Sequence, residues 1–153
     1  MKKLVLLLFI VNITICYSQK PSQQEDIKNT LKLFFKAIDK GDTLTIKNVV
    51  HKNFRGLTTY INSNGNTVIA DEVSKKEFVN IIKTKNPNDS WIEKLTSYSI
   101  KIDGNLANVW TAYTFYVNKN ITHCGSNSFQ LVKIGNKWKI ISVIDTRRRE
   151  NCN

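Results

Sequence analysis

The second half of the chain carries the residue types that acid–base chemistry uses. His123 is an imidazole, a group that ordinarily titrates near neutrality, Asp145 is a carboxylate, Tyr113 and Tyr116 are phenols, and Asn127 both donates and accepts hydrogen bonds. A carboxylate or imidazole that moves a proton beside a donor that steadies the resulting oxyanion is the chemistry of isomerases, cyclases and hydratases. Asp145 and His123 are therefore the candidate catalytic residues. Each also has a plainer reading. Asp145 stands just before Arg147, Arg148 and Arg149, so it reads first as an ion-pair partner held in its charged form. His123 reads first as a hydrogen-bonding residue at the rim of a site. Without catalysis the same region makes a ligand site: Trp110 and Phe129 to stack a flat molecule, and Tyr116, His123 and Asn127 to orient its polar edge.

Other chemistries fail on spacing. Ser126, His123 and Asp145 supply the members of a nucleophilic triad, but the chain has no G-x-S-x-G elbow. His51, His123, Asp145 and the cysteines lack the close paired spacing of a zinc site, so no metal is expected. The glycines Gly41, Gly65, Gly104, Gly125 and Gly135 stand singly, which leaves no phosphate-cradling loop and no expected cofactor.

The elements that must hold these side chains follow a start that reads as a targeting segment. Lys2 and Lys3 precede the apolar run 4–11, and Cys16-Tyr17-Ser18 supplies small residues before a cut after Ser18. Residues 1–18 are thus expected to be a signal peptide and 19–153 a single domain, exported to a periplasm or secreted. Eight unbroken apolar residues fall short of the roughly 20 that span a bilayer. Removing Lys2 and Lys3 lowers the formal charge of +11 by two, and the remainder is still strongly basic. The lysines are scattered and carry no nucleic-acid signature, so nucleic acid is not an expected partner. Only Arg147-Arg148-Arg149 is a tight basic run, read as a solvated strand end. Cys124 and Cys152 survive cleavage, and in an oxidising compartment they have one possible intramolecular pairing.

Helices come early. Ile27, Leu31, Phe34, Phe35 and Ile38 recur at helical spacing after Ser22, whose partner Glu25 completes the pattern of a capping box, and Gly41 closes the helix. Asp42 caps a short second helix. A hairpin over 54–61 and 67–70 turns at Asn64-Gly65, and Ser74 with Glu77 opens a third helix that ends before Pro87, with Phe78, Ile81 and Ile82 on its inner face. Long alternating runs follow over 97–102, 106–117, 121–133 and 138–147. This is an α+β domain: an antiparallel meander whose long strands must curl, covered on one face by the helices.

Taking Lys119-Asn120 and Gly135-Asn136 as two-residue turns sorts the side chains by face. Trp110 then lies opposite Phe129, Ala112 opposite Asn127, Tyr116 opposite His123 and Leu131 opposite Ile140, all on one face with Ile144. Tyr113, Phe115, Cys124, Ser126, Asp145 and Arg147 fall on the other. One inserted residue would exchange these sets.

Helix, helix, hairpin, helix and long meander in that order resemble the nuclear-transport-factor-2-like superfamily, also called cystatin-like or SnoaL-like. More narrowly, "DGNLANVWTAYTFYVN", "HCGSNSFQLVK" and "WKIISVIDTRRRENC" resemble the small exported proteins of the proposed lumazine-binding family, over essentially the whole of 19–153. The resemblance implies a cone-shaped roll whose curved sheet and helices enclose a pocket, and it leaves function open. Three functions fit: an exported pocket protein for a small, ring-bearing molecule; an isomerase, cyclase or hydratase acting through Asp145 or His123; and an envelope module that forms a homodimer through its sheet.

Overall fold

The computed structural model describes residues 22–152. The expected signal peptide, Cys16 included, lies outside the described residues. Helix α1 (Gln23–Lys40) starts where Ser22 Oγ accepts from Glu25 N and stops at Gly41, whose φ of 67° places it in the left-handed region. Helix α2 (Thr43–Val49) is capped by Asp42, which accepts from Thr45 N. Strand β1 (Val50–Ile61) turns back into β2 (Thr67–Ile69) through the loop holding Asn64-Gly65, with Tyr60 opposite Val68. The short β3 (Val73–Ser74) leads into α3 (Lys75–Thr84), where Ser74 and Glu77 form a full capping box. The strands β4 (Trp91–Leu95), β5 (Ser99–Asp103), β6 (Leu106–Val117), β7 (Asn120–Ile134) and β8 (Lys137–Arg147) complete the chain.

All strands join one sheet in the order β2-β1-β8-β7-β6-β4, with β3 on β1 and β5 on β6. Every pairing is antiparallel except that of β1 with β8, which is parallel and brings the first strand against the last. Strands of 12, 15 and 11 residues at the centre cannot lie flat, and the sheet rolls around the helices. The inner stripe of α1, namely Ile27, Leu31, Phe34 and Ala37, packs on Val109, Phe129, Leu131 and Ile140 from the concave face, with Ile46 of α2 and Ile82 of α3 closing the core. Ile81, expected on the inner face of α3 with Phe78 and Ile82, borders the open space between α3 and the sheet and is 41% exposed. Among the described residues no helix is long and apolar enough to cross a membrane.

The disulfide joins Cys124 of β7 to Cys152 with Cα atoms 5.5 Å apart, tying the chain's tail to the central sheet. Gly125, next to it, is required by close approach. A Cβ there would stand 1.8 Å from the backbone oxygen of Thr146, so only glycine lets β8 lie this near.

The expected strand register needs correction at two places. The β6–β7 turn is Asn118-Lys119, both at positive φ (50° and 72°), rather than Lys119-Asn120. A bulge at Thr122 then shifts the pairing, so that His123 faces Phe115 and Asn127 faces Thr111. The Gly135-Asn136 turn is as expected, but a second bulge at Ile141 places Asp145 opposite Asn127. Each extra residue reverses the faces beyond it. The concave face therefore takes its β6 residues from one expected set and its β7 residues from the other.

Candidate functional site

At one end of the roll the core does not close. A cavity of about 710 Å³ opens between α1, α3 and the concave sheet. Its floor is an aromatic cluster built by four segments distant in sequence. Phe34 of α1 stacks on Phe78 of α3 with centroids 5.5 Å apart, Phe54 of β1 packs on Phe78 at 5.3 Å, and Phe129 of β7 meets Phe34 and Phe35 edge-on at 6.0 and 5.9 Å. Trp91 and Phe115 continue the wall, edge to face at 6.4 Å. Above the rings stand the polar groups, carried by neighbouring strands at inward positions.

Two hydrogen-bonded groups organise them. In the first, Asp145 Oδ1 accepts from Thr58 Oγ1 at 2.6 Å, while Oδ2 accepts from Arg147 Nε at 2.9 Å and from the Tyr113 hydroxyl at 2.9 Å. Both oxygens of Asp145 are thus engaged, and the expected ion pair with the arginine run is present through Arg147. Arg147 itself lines the cavity, which corrects its reading as part of a solvated strand end. Burial, and next the charge of Asp145, push the Tyr113 phenol well above its ordinary range.

The second group centres on Glu93, a residue the sequence reading passed over. Glu93 lies at the middle of β4, where Trp91, Glu93 and Leu95 point inward and Ile92 and Lys94 outward. Its Oε1 accepts from Asn127 Nδ2 at 2.6 Å. Asn127 is buried, and its amide also reaches Thr111 Oγ1 at 3.4 Å. Burial raises the Glu93 carboxyl from 4.5 to about 8; the Asn127 hydrogen bond pulls it down, the charge of Asp145 adds to the rise, and Arg147 offsets part of it. At neutral pH this group is mostly a neutral acid that exchanges its proton readily. One signal in the sequence points to it. In "WIEKL" the glutamate shares parity with Trp91 and Leu95, and an acid on the apolar side of a strand is unusual.

His123 is half-buried beside Phe115, with ring centroids 5.0 Å apart, and edge-on to Tyr113 at 5.7 Å. Burial, and then the charge of Arg147, lower its pKa to about 4, so the imidazole is neutral under physiological conditions. Of the expected ligand residues, His123, Asn127 and Phe129 line the cavity, as does the expected acid–base residue Asp145. Trp110 and Tyr116 do not. The β7 bulge leaves both on the outer face, where Trp110 is 52% exposed and Tyr116 lies under the Lys94 ammonium. Tyr113 and Phe115, from the set expected to face outward, take their places. Among the described residues no three histidine, cysteine or acidic side chains gather as a metal site.

No protein-family model and no curated protein matches the sequence. Solved structures do match. An NTF2-like protein from Cytophaga hutchinsonii superposes with a TM-score of 0.68 at 14% identity, over 84% of this chain and 100% of that one. A protein of unknown function with a cystatin-like fold from Nostoc punctiforme gives 0.63 at 16% identity, over 83% and 92%. The β subunit of a proposed aromatic-ring-hydroxylating dioxygenase from Novosphingobium aromaticivorans gives 0.67 at 11% identity, over 85% and 92%. At such identities the likeness is one of architecture. The curled sheet, its covering helices and the cavity at the open end give this chain the NTF2-like cone fold.

Proposed function

We propose that the protein is exported and holds a small, ring-bearing molecule in the cone cavity without converting it. The observation that carries this reading is a cavity of about 710 Å³ with an aromatic floor and a few convergent polar groups, the arrangement typical of small-molecule sites. His123, Asn127 and Phe129 are its contact residues, joined by Glu93, Tyr113 and Phe115. Membership of the proposed lumazine-binding family fits the same reading, through the "HCGSNSFQLVK" and "DTRRRENC" segments. Export is supported by the charged and apolar start of the chain and by the Cys124–Cys152 bridge. Native mass spectrometry of protein isolated from its own host tests the reading directly. A co-purified small molecule, lost on unfolding, is the expected result. Failure of every aryl compound in a broad thermal-shift panel to stabilise the protein would refute it.

One observation favours a second reading, an acid–base enzyme. Asp145 has both oxygens engaged, and His123, lowered to about 4, is too weak a base to hold a proton near neutrality. Glu93, near 8, is poised. Substrate turnover that disappears in Glu93→Gln while ligand binding persists would move the assignment from binder to enzyme. Pairing of two copies through the outer sheet face accompanies either reading, because Trp110, Ile92 and Ile144 are exposed there. Light scattering of the purified protein measures it.

A further inference from the structure

The cavity gathers acid in a basic protein. The chain has 23 lysines and arginines against 12 acidic residues, yet Asp71, Asp89, Glu93 and Asp145 line the cavity and Arg147 is its only lysine or arginine. That arginine is paired with Asp145. His123 is neutral. The charge lining the cavity is thus opposite in sign to that of the protein as a whole, and low-dielectric walls strengthen its effect on anything inside.

Glu93 gives this charge a point of attachment. Its Oε1 takes the Asn127 amide, whereas no described residue donates a hydrogen bond to Oε2. That oxygen is open to the cavity rather than sealed in the core, and once the carboxyl is ionised a ligand N–H can donate to it. Around it stand Trp91, Phe115, Phe35 and Phe129, whose π faces attract cations.

We propose that the cavity receives a ring-bearing organic cation, its N–H groups held by the Glu93 carboxyl and its rings laid against Trp91 and Phe115. This rests on the cavity being a ligand site and names the chemical class of its guest. The titratable and charged groups around the Glu93 end of the cavity are Asp145 and Arg147 on β8, Tyr113 on β6, His123 on β7, Asp71 and Asp89 in its lining, and Lys85, whose ammonium lies 5.6 Å from the Trp91 ring centroid and leaves the rest of the aromatic wall to the ligand. Helix α1, which also packs on β4, brings Asp39, already engaged by Ser90 Oγ and Trp91 N. A cation beside Glu93 favours its ionised form. Because that carboxyl is mostly protonated at pH 7, uptake of the cation expels close to one proton. Affinity then rises about tenfold between pH 7 and pH 9, as the ionised fraction grows.

Three probes with the same naphthyl ring and different charge test the proposal by calorimetry: naphthylmethylguanidinium, naphthylmethanol and naphthoate. The expected result is guanidinium binding at least about tenfold tighter than the alcohol, with naphthoate weakest. Titration in buffers of different ionisation enthalpy should show about one proton released at pH 7 for the guanidinium and none for the alcohol. Glu93→Gln should abolish the proton release and remove most of the guanidinium's advantage over the alcohol. Cooperative urea unfolding of the variant, with the parent's slope, reports an intact fold. If the alcohol or naphthoate binds as tightly as the guanidinium, the cation assignment is overturned and the cavity remains a ligand site. If none of the three binds, both fall.

Discussion

Replacing Glu93 by glutamine removes the proton equilibrium of the carboxyl that faces the cavity but keeps its size and its capacity to accept from Asn127. The consequence for stability has a definite sign. The folded-state value of about 8 lies above the ordinary 4.5, so the folded protein binds the proton more tightly than the unfolded chain does. The stability this contributes is complete below about pH 4.5 and is lost as pH rises toward 8. A displacement from 4.5 to about 8 corresponds to about 5 kcal/mol at most. Glu93 is only partly buried and faces the cavity, so solvent screening reduces this to roughly 2 to 3 kcal/mol. Glu93→Gln should therefore match the parent near pH 4.5 and exceed it by about 2 to 3 kcal/mol at pH 8. Urea unfolding of both proteins at unit steps from pH 4.5 to 9 gives the difference curve, in which every other titrating group cancels. A curve that is flat across this range, or that slopes the other way, would show that Glu93 titrates as an ordinary carboxylate and would refute the reasoning.

Three further outcomes follow from the geometry. Cys152→Ser opens a loop closed across 28 positions and should reduce stability by about 3 kcal/mol, read as a lower urea midpoint than that of the oxidised parent, with aryl-ligand affinity little changed. Gly125→Ala sets a Cβ against the Thr146 backbone and should destabilise by about 3 kcal/mol, because β8 rather than a flexible side chain must move; equal midpoints would contradict the close approach. Trp110→Ser, on the outer face, should leave naphthylmethanol affinity within about twofold of the parent, and a tenfold loss would return Trp110 to the cavity.

Local chemistry was legible in the residues themselves. Ser22, Asp42 and Ser74 cap the helices they were expected to cap, Gly41 takes the left-handed turn that ends α1, and Cys124 pairs with Cys152. These features depend on neighbours a few positions away or, for the disulfide, on having one possible partner. The α+β class followed from the same reasoning, because apolar periodicity separates helices from strands. Membership of the cavity did not follow. Thr122 and Ile141 are ordinary residues for a strand, and nothing local marks either as the extra residue of a bulge, yet each reverses the side chains beyond it.

Glu93 shows the same division more sharply. Its five-residue strand is too short for alternation to stand out, and what makes its carboxyl unusual is supplied by Asn127, Asp145 and Arg147, between 34 and 54 positions away. The sequence alone determined the helices with their caps, the long strands and the class of fold, which rest on short-range preference, and the disulfide, which had one possible partner, whereas β3 and β4 were too short to be read. Only the tertiary structure decided which face of the sheet is concave and which acid sits enclosed within it. Face and burial depend on strand pairing and closure of the roll, which are cooperative properties of the whole chain.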